Sequence, residues 1–153
     1  MKLLVATALV SLLAAPAFAE GDIAKGKKSF NKCKACHSVV SDEGEVFIKG
    51  GKTGPNLWGL PGRVAGTYEG FKYGKDMVAA GEGGLAWNEE TFVGFVTNPK
   101  EFVRTETGNA KAKSKMSFKL KKGGEDIYAF LASVSPAPVA EEAEEAAEEP
   151  ASN

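Results

Sequence analysis

The chain's only two cysteines and its only histidine stand together in one five-residue run, Cys33-Lys34-Ala35-Cys36-His37. That placement excludes any site needing two histidines, and any zinc site built from four Cys and His ligands. A Ser-His-Asp hydrolase would have to take His37 as its base. Two cysteines separated by two residues, with histidine next, are the attachment signature for a c-type haem. Placed one helical turn apart, both thiols can reach the two vinyl groups of one porphyrin, and the adjacent imidazole can swing beneath the ring to iron. The competing readings are a thioredoxin-like redox pair and a plain disulfide. The redox pair belongs in a βαβ setting with a strand before it, and no strand pattern precedes Cys33.

The ends of the chain differ from its middle. Met1-Lys2 is a short positive start, an apolar run follows over 3–15, and Ala17-Phe18-Ala19 is a small-x-small cleavage pattern. A run of about 13 apolar residues is short for a bilayer span, so residues 1–19 read as a cleaved signal peptide. The expected compartment is the periplasm, oxidising and outside the cytoplasm. The whole chain is nearly neutral at −1, but residues 20–135 hold 18 basic and 14 acidic side chains, whereas 136–153 hold six glutamates and no base. A basic domain, 20–135, is thus joined to an acidic tail, 136–153, which has no apolar stripe to bury and reads as disordered. A basic exported domain suits an acidic protein partner or an anionic surface, and not nucleic acid.

Three helices are expected, over 21–30, 88–96 and 125–134. Ile23 and Phe30 lie two turns apart with Asp22 able to cap. Asn88 caps the second, whose continuation Asn98-Pro99 disfavours. In the third, Ile127, Phe130, Leu131 and Val134 form one apolar stripe. Between the first two helices lie roughly fifty glycine-rich residues without periodicity, a length that compact domains rarely leave structureless. A large apolar cofactor filling the core resolves the tension, and a mere disulfide does not.

With one histidine present and both cysteines used as thioethers, methionine is the remaining soft donor for a second axial iron bond. Met1 leaves with the signal, so Met77 and Met116 are the candidates. Met77 suits ordinary packing. Met116 starts a loop that the final helix can pin, which favours it.

These motifs, in this order, resemble those of class I c-type cytochromes, closest to bacterial cytochrome c2 and its respiratory relatives. The match runs through Cys33-Lys34-Ala35-Cys36-His37, Lys52-Thr53-Gly54-Pro55-Asn56-Leu57, Gly62-Arg63, Tyr73, Trp87, Asn98-Pro99-Lys100 and Lys115-Met116-Ser117-Phe118. The resemblance implies an all-α fold of a few helices and long loops wrapped around one haem c, bound through Cys33 and Cys36. It implies His37 and Met116 as the axial ligands and the Pro55 carbonyl as acceptor for the His37 ring. Arg63, Tyr73 and Trp87 match positions that bond or screen the haem propionates. The first and last helices are expected to cross, with Gly26 and Phe30 meeting Ile127 and Phe130, so that enlarging Gly26 costs about 1–3 kcal/mol.

The chain departs from the family in places. Phe95 stands where many relatives have a tyrosine near the methionine sulfur, and the segments 40–49, 77–84 and 104–112 look longer than in mitochondrial members. The implied function is one-electron carriage by a monomer, not enzymic catalysis. The donor expected is a quinol–cytochrome c oxidoreductase, and the acceptor a terminal oxidase, a reductase or a photosynthetic reaction centre. Lys32, Lys34, Lys52, Lys100, Lys115, Lys119, Lys121 and Lys122 cluster in sequence around the haem-contacting motifs and are the expected docking residues.

Overall fold

The structure, a computed structural model, describes residues 21–136. The signal-peptide reading and all of the acidic tail after Pro136 lie outside the described residues. Five helices are present among the described residues: α1 (Ile23–Ser29), α2 (Lys75–Glu82), α3 (Glu89–Thr97), α4 (Pro99–Thr107) and α5 (Gly124–Val134). The three expected helices correspond to α1, α3 and α5; α2 and α4 are additional. A short antiparallel hairpin, β1 (Val39–Val40) with β2 (Val46–Ile48), is the one sheet among them.

Helix α1 starts as its sequence dictates. The Asp22 carboxylate accepts from the Lys25 amide at 2.9 Å and fills one of the orphan donors of the first turn. A second tie leaves the same residue: the Asp22 amide donates to Asp126 Oδ1 at 2.8 Å, at the start of α5. The two helices cross at Gly26. A Cβ there would sit 1.8 Å from the Asp126 carbonyl oxygen, a backbone atom that cannot swing aside. Close approach lets Phe30 and Phe130 meet edge to face with centroids 5.9 Å apart, both essentially inaccessible to solvent together with Ile127 and Leu131. The crossing is as the family resemblance implied.

Asn88 and Thr91 form a reciprocal capping box on α3, with bonds of 2.8 and 2.9 Å. The helix ends before Asn98, but the chain does not leave helix for long. Pro99 opens α4 at its first position, where a missing N–H costs nothing and the fixed φ is already helical. Helix α2 buries Met77, Ala80 and Gly81. Loops supply the rest. A backbone ladder joins 62–65 to 85–87: the Gly62 amide bonds the Trp87 carbonyl at 2.7 Å, the Trp87 amide bonds Arg63 at 3.0 Å, and the Ala65 amide bonds Leu85 at 2.8 Å. No helix among the described residues is long and apolar enough to cross a membrane.

Candidate haem cleft and axial ligands

The 3-10 turn Phe30–Lys32 continues α1 into the cysteine motif, and the turns persist: the Cys36 and His37 amides both bond the Cys33 carbonyl at 3.0 Å. This winding brings Cys33, Cys36 and His37 to one wall of a cleft of about 340 Å³. The same cleft is lined by Pro55, Arg63, Tyr73, Trp87 and Met116, so every expected haem-contacting residue opens on it. Met77, the other candidate sulfur, lines it too, but is buried in the side-chain core. Leu57, Leu60, Phe92, Phe95 and Val96 make the walls apolar.

The His37 ring is held in one orientation. A carbonyl oxygen only accepts, so the 2.8 Å contact between His37 Nδ1 and the Pro55 carbonyl is an N–H donation, which leaves the Nε2 lone pair for a metal. Gly54 makes room for the ring, since a Cβ there would fall 2.2 Å from its Cε1. Burial lowers the His37 pKa, opposed by the bond to Pro55, a direction that favours the neutral imidazole a metal ligand requires. Asn56 secures the next link: its side chain pairs with both backbone groups of Val40, at 3.1 and 2.7 Å.

The surroundings of the cysteines do not suit a thioredoxin-like pair: burial pushes the Cys33 thiol up to about 11, whereas a redox-active cysteine has a depressed pKa. Among the described residues no group of three or more His, Cys, Asp or Glu side chains could hold a metal ion. A metal in this cleft has to bring most of its ligands with it. A porphyrin does so, needing from the protein two axial donors, two thiols for its vinyl groups and an apolar slot.

Arg63 adds a charge to the same slot. Its guanidinium donates to the carbonyls of Trp58 at 3.1 Å and Asn56 at 3.3 Å, and stacks over the Tyr68 ring at 4.9 Å. No carboxylate pairs with it among the described residues. Burial lowers its pKa, opposed by Tyr73 and Tyr68, and burial likewise raises that of Tyr73. A guanidinium opening on a cleft without a protein counter-ion fits a carboxylate-bearing cofactor.

Lys32 and Lys115 line the cleft, while Lys34, Lys52, Lys100, Lys119, Lys121 and Lys122 are exposed outside its lining. Sequence reasoning missed Lys113, which lines it as well, although the alternating run Lys111, Lys113, Lys115 carried a signal. Phe95 lies 5.3 Å from Trp87 and 5.9 Å from Phe102, ring to ring, so the wall it lines is aromatic.

No protein-family model matches the sequence. Individual relatives do. The chain is 62% identical over 122 residues to a cytochrome c-551 of Roseobacter denitrificans, covering 80% of this chain and 87% of that one. It is 53% identical over 134 residues to a cytochrome c2 of Rhodobacter capsulatus, covering 88% and 97%. The solved structure of cytochrome c2 from Rhodobacter capsulatus superposes with a TM-score of 0.73 at 54% identity, over 74% of this chain and 98% of that one. Ferric cytochrome c-550 from Paracoccus versutus gives a TM-score of 0.74 at 50% identity, over 76% and 100%. The chain therefore belongs to the cytochrome c2 group of class I c-type cytochromes, electron-transfer proteins that carry one covalently attached haem c.

Proposed function

We propose that this protein is a monomeric periplasmic carrier that takes one electron from a quinol–cytochrome c oxidoreductase and delivers it to a terminal oxidase, a reductase or a photosynthetic reaction centre. The observation that carries the reading is the convergence of Cys33, Cys36, His37 and Met116 on one apolar cleft. When bound, haem c supplies a one-electron ferrous–ferric couple. Cys33 and Cys36 would hold it by thioethers, and His37 Nε2 and the Met116 sulfur would ligate its iron. With both donors engaged, substrate and oxygen would have no place on the metal, and the chain has no second histidine to act as a distal acid or base. Methionine–histidine ligation raises the reduction potential, and the apolar walls disfavour the extra charge of the ferric state. Arg63, Tyr73 and Trp87 line the same cleft and would bond or screen its propionates.

Docking uses the rim. Lys32, Lys113 and Lys115 line the cleft, Phe118 is exposed beside them, and the remaining lysines named above extend the positive field. That arrangement suits steering toward acidic partners at a salt-sensitive rate. Export requires the signal peptide over 1–19.

The reading is tested by the ferric spectrum. The wild-type protein should show the far-red sulfur–iron charge-transfer band, and Met116→Ala should lose it while keeping the thioether-bound haem. A wild-type protein without the band leaves Met116 off the iron.

A further inference from the structure

Met116 has no helix or strand of its own to hold it. It lies in the irregular stretch between α4 and α5, and its amide bonds only the Ser114 hydroxyl nearby, at 3.1 Å. Two longer contacts cross from this stretch to the start of α2. The Lys113 amide donates to Asp76 Oδ2 at 2.9 Å, and Lys115 Nζ donates to the Lys72 carbonyl at 2.6 Å. The stem of Lys115 lies along Gly74, whose Cβ position is 3.5 Å from Lys115 Cγ. Asp76 sits in the first turn of α2, and the next residue, Met77, is buried in the core, so the carboxylate is presented from a fixed base.

We propose that Asp76 is a positioning residue for Met116. Resting on the reading of Met116 as an iron ligand, the inference is that the Asp76 carboxylate fixes the chain three residues before the sulfur-bearing residue, and the Lys115–Lys72 contact fixes it one residue before. A carboxylate bonded to a backbone amide is stronger than a neutral acceptor. Without it the segment samples more conformations, and the fraction of molecules with sulfur on iron falls. An external ligand then binds more tightly, because its apparent affinity scales with the fraction of open sites.

The test is imidazole titration of the ferric holoprotein. Asp76→Ala should bind imidazole about tenfold more tightly than wild type, the scale of one charge-assisted hydrogen bond. Asp76→Asn, whose amide oxygen can still accept from Lys113, should stay within about threefold of wild type. Wild-type affinity in Asp76→Ala, even with a lowered melting temperature, overturns the proposal by showing a merely structural role. If Asp76→Ala does not mature, hydrogen exchange of the Lys113 amide in the wild-type protein decides: Asp76 is the acceptor for that amide, and exchange at the rate of a free amide overturns the clamp. The far-red band of the wild-type protein separates the two readings. If it is present and Asp76→Ala binds imidazole normally, only the clamp fails; if it is absent, the Met116 ligation fails and the clamp with it.

Discussion

The α1–α5 crossing and the cleft wall are built on opposite terms. At the crossing, side chain packs on side chain: Phe30, Ile127, Phe130 and Leu131 are sealed from water by one another, and Gly26 lets the backbones touch. Around the cleft, apolar residues such as Leu57, Leu60 and Phe92 face a shared space, and their loops are held by backbone ladders and by Asn56 and Arg63. The first region supplies its own partners. The second is completed by the cofactor.

The sharpest way to break that contrast is to prevent attachment. The double variant Cys33→Ala, Cys36→Ala should lose the haem and, with it, cooperative melting, because the crossing alone cannot hold the loops. A cooperative transition within a few degrees of the holoprotein would remove the distinction between the two regions. Next in size is Gly26→Val. Its Cβ would fall 1.8 Å from the Asp126 carbonyl oxygen, so the loss should be at least about 3 kcal/mol, the top of the range for overpacking. Chemical denaturation measures it, and the far-red band of the folded protein should be unchanged, since the damage lies in the other region.

A smaller effect concerns the rim. Lys32→Glu should slow electron transfer with an acidic partner by about tenfold at low salt, and the gap should close as salt screens the field. Equal rates for variant and wild type at low ionic strength would make Lys32 a bystander. The smallest effect is at the α1 cap. Bonds from the Lys25 amide and side chain hold the Asp22 carboxyl below its ordinary 3.8. That contribution is present above the unfolded value and is lost as pH falls through the lower folded value. The stability difference between wild type and Asp22→Asn should therefore shrink in acid below about pH 4. A difference that is flat from pH 6 to pH 2 would contradict the assignment.

How much of this was legible in the sequence depends on residue size. Helices α1, α3 and α5 carry large apolar residues at helical spacing and were readable. The buried face of α2 is Met77, Ala80 and Gly81, too small a stripe to stand out among glycines. Helix α4 was hidden because Asn98-Pro99 reads as a stop; it ends α3 and also starts α4. The hairpin strands have two and three residues with an irregular register, too short for alternation to appear. In the site, Cys33, Cys36 and His37 declare themselves by spacing, and Met116 emerges because so few soft donors exist. The contacts of Asp76, Asn56 and Arg63 do not, because each side chain bonds backbone atoms of other residues, for Asp76 as far as 37 residues away. Side-chain chemistry leaves a mark in sequence, and a backbone acceptor or donor leaves none.

In the proposed carrier the cleft region would hold the iron closed on both sides, by His37 and by Met116. Carbon monoxide binding to the reduced protein at neutral pH tests it most directly. The prediction is no binding by the wild type and ready binding by Met116→Ala; rapid binding by the wild type would show an open coordination position and contradict the carrier mechanism.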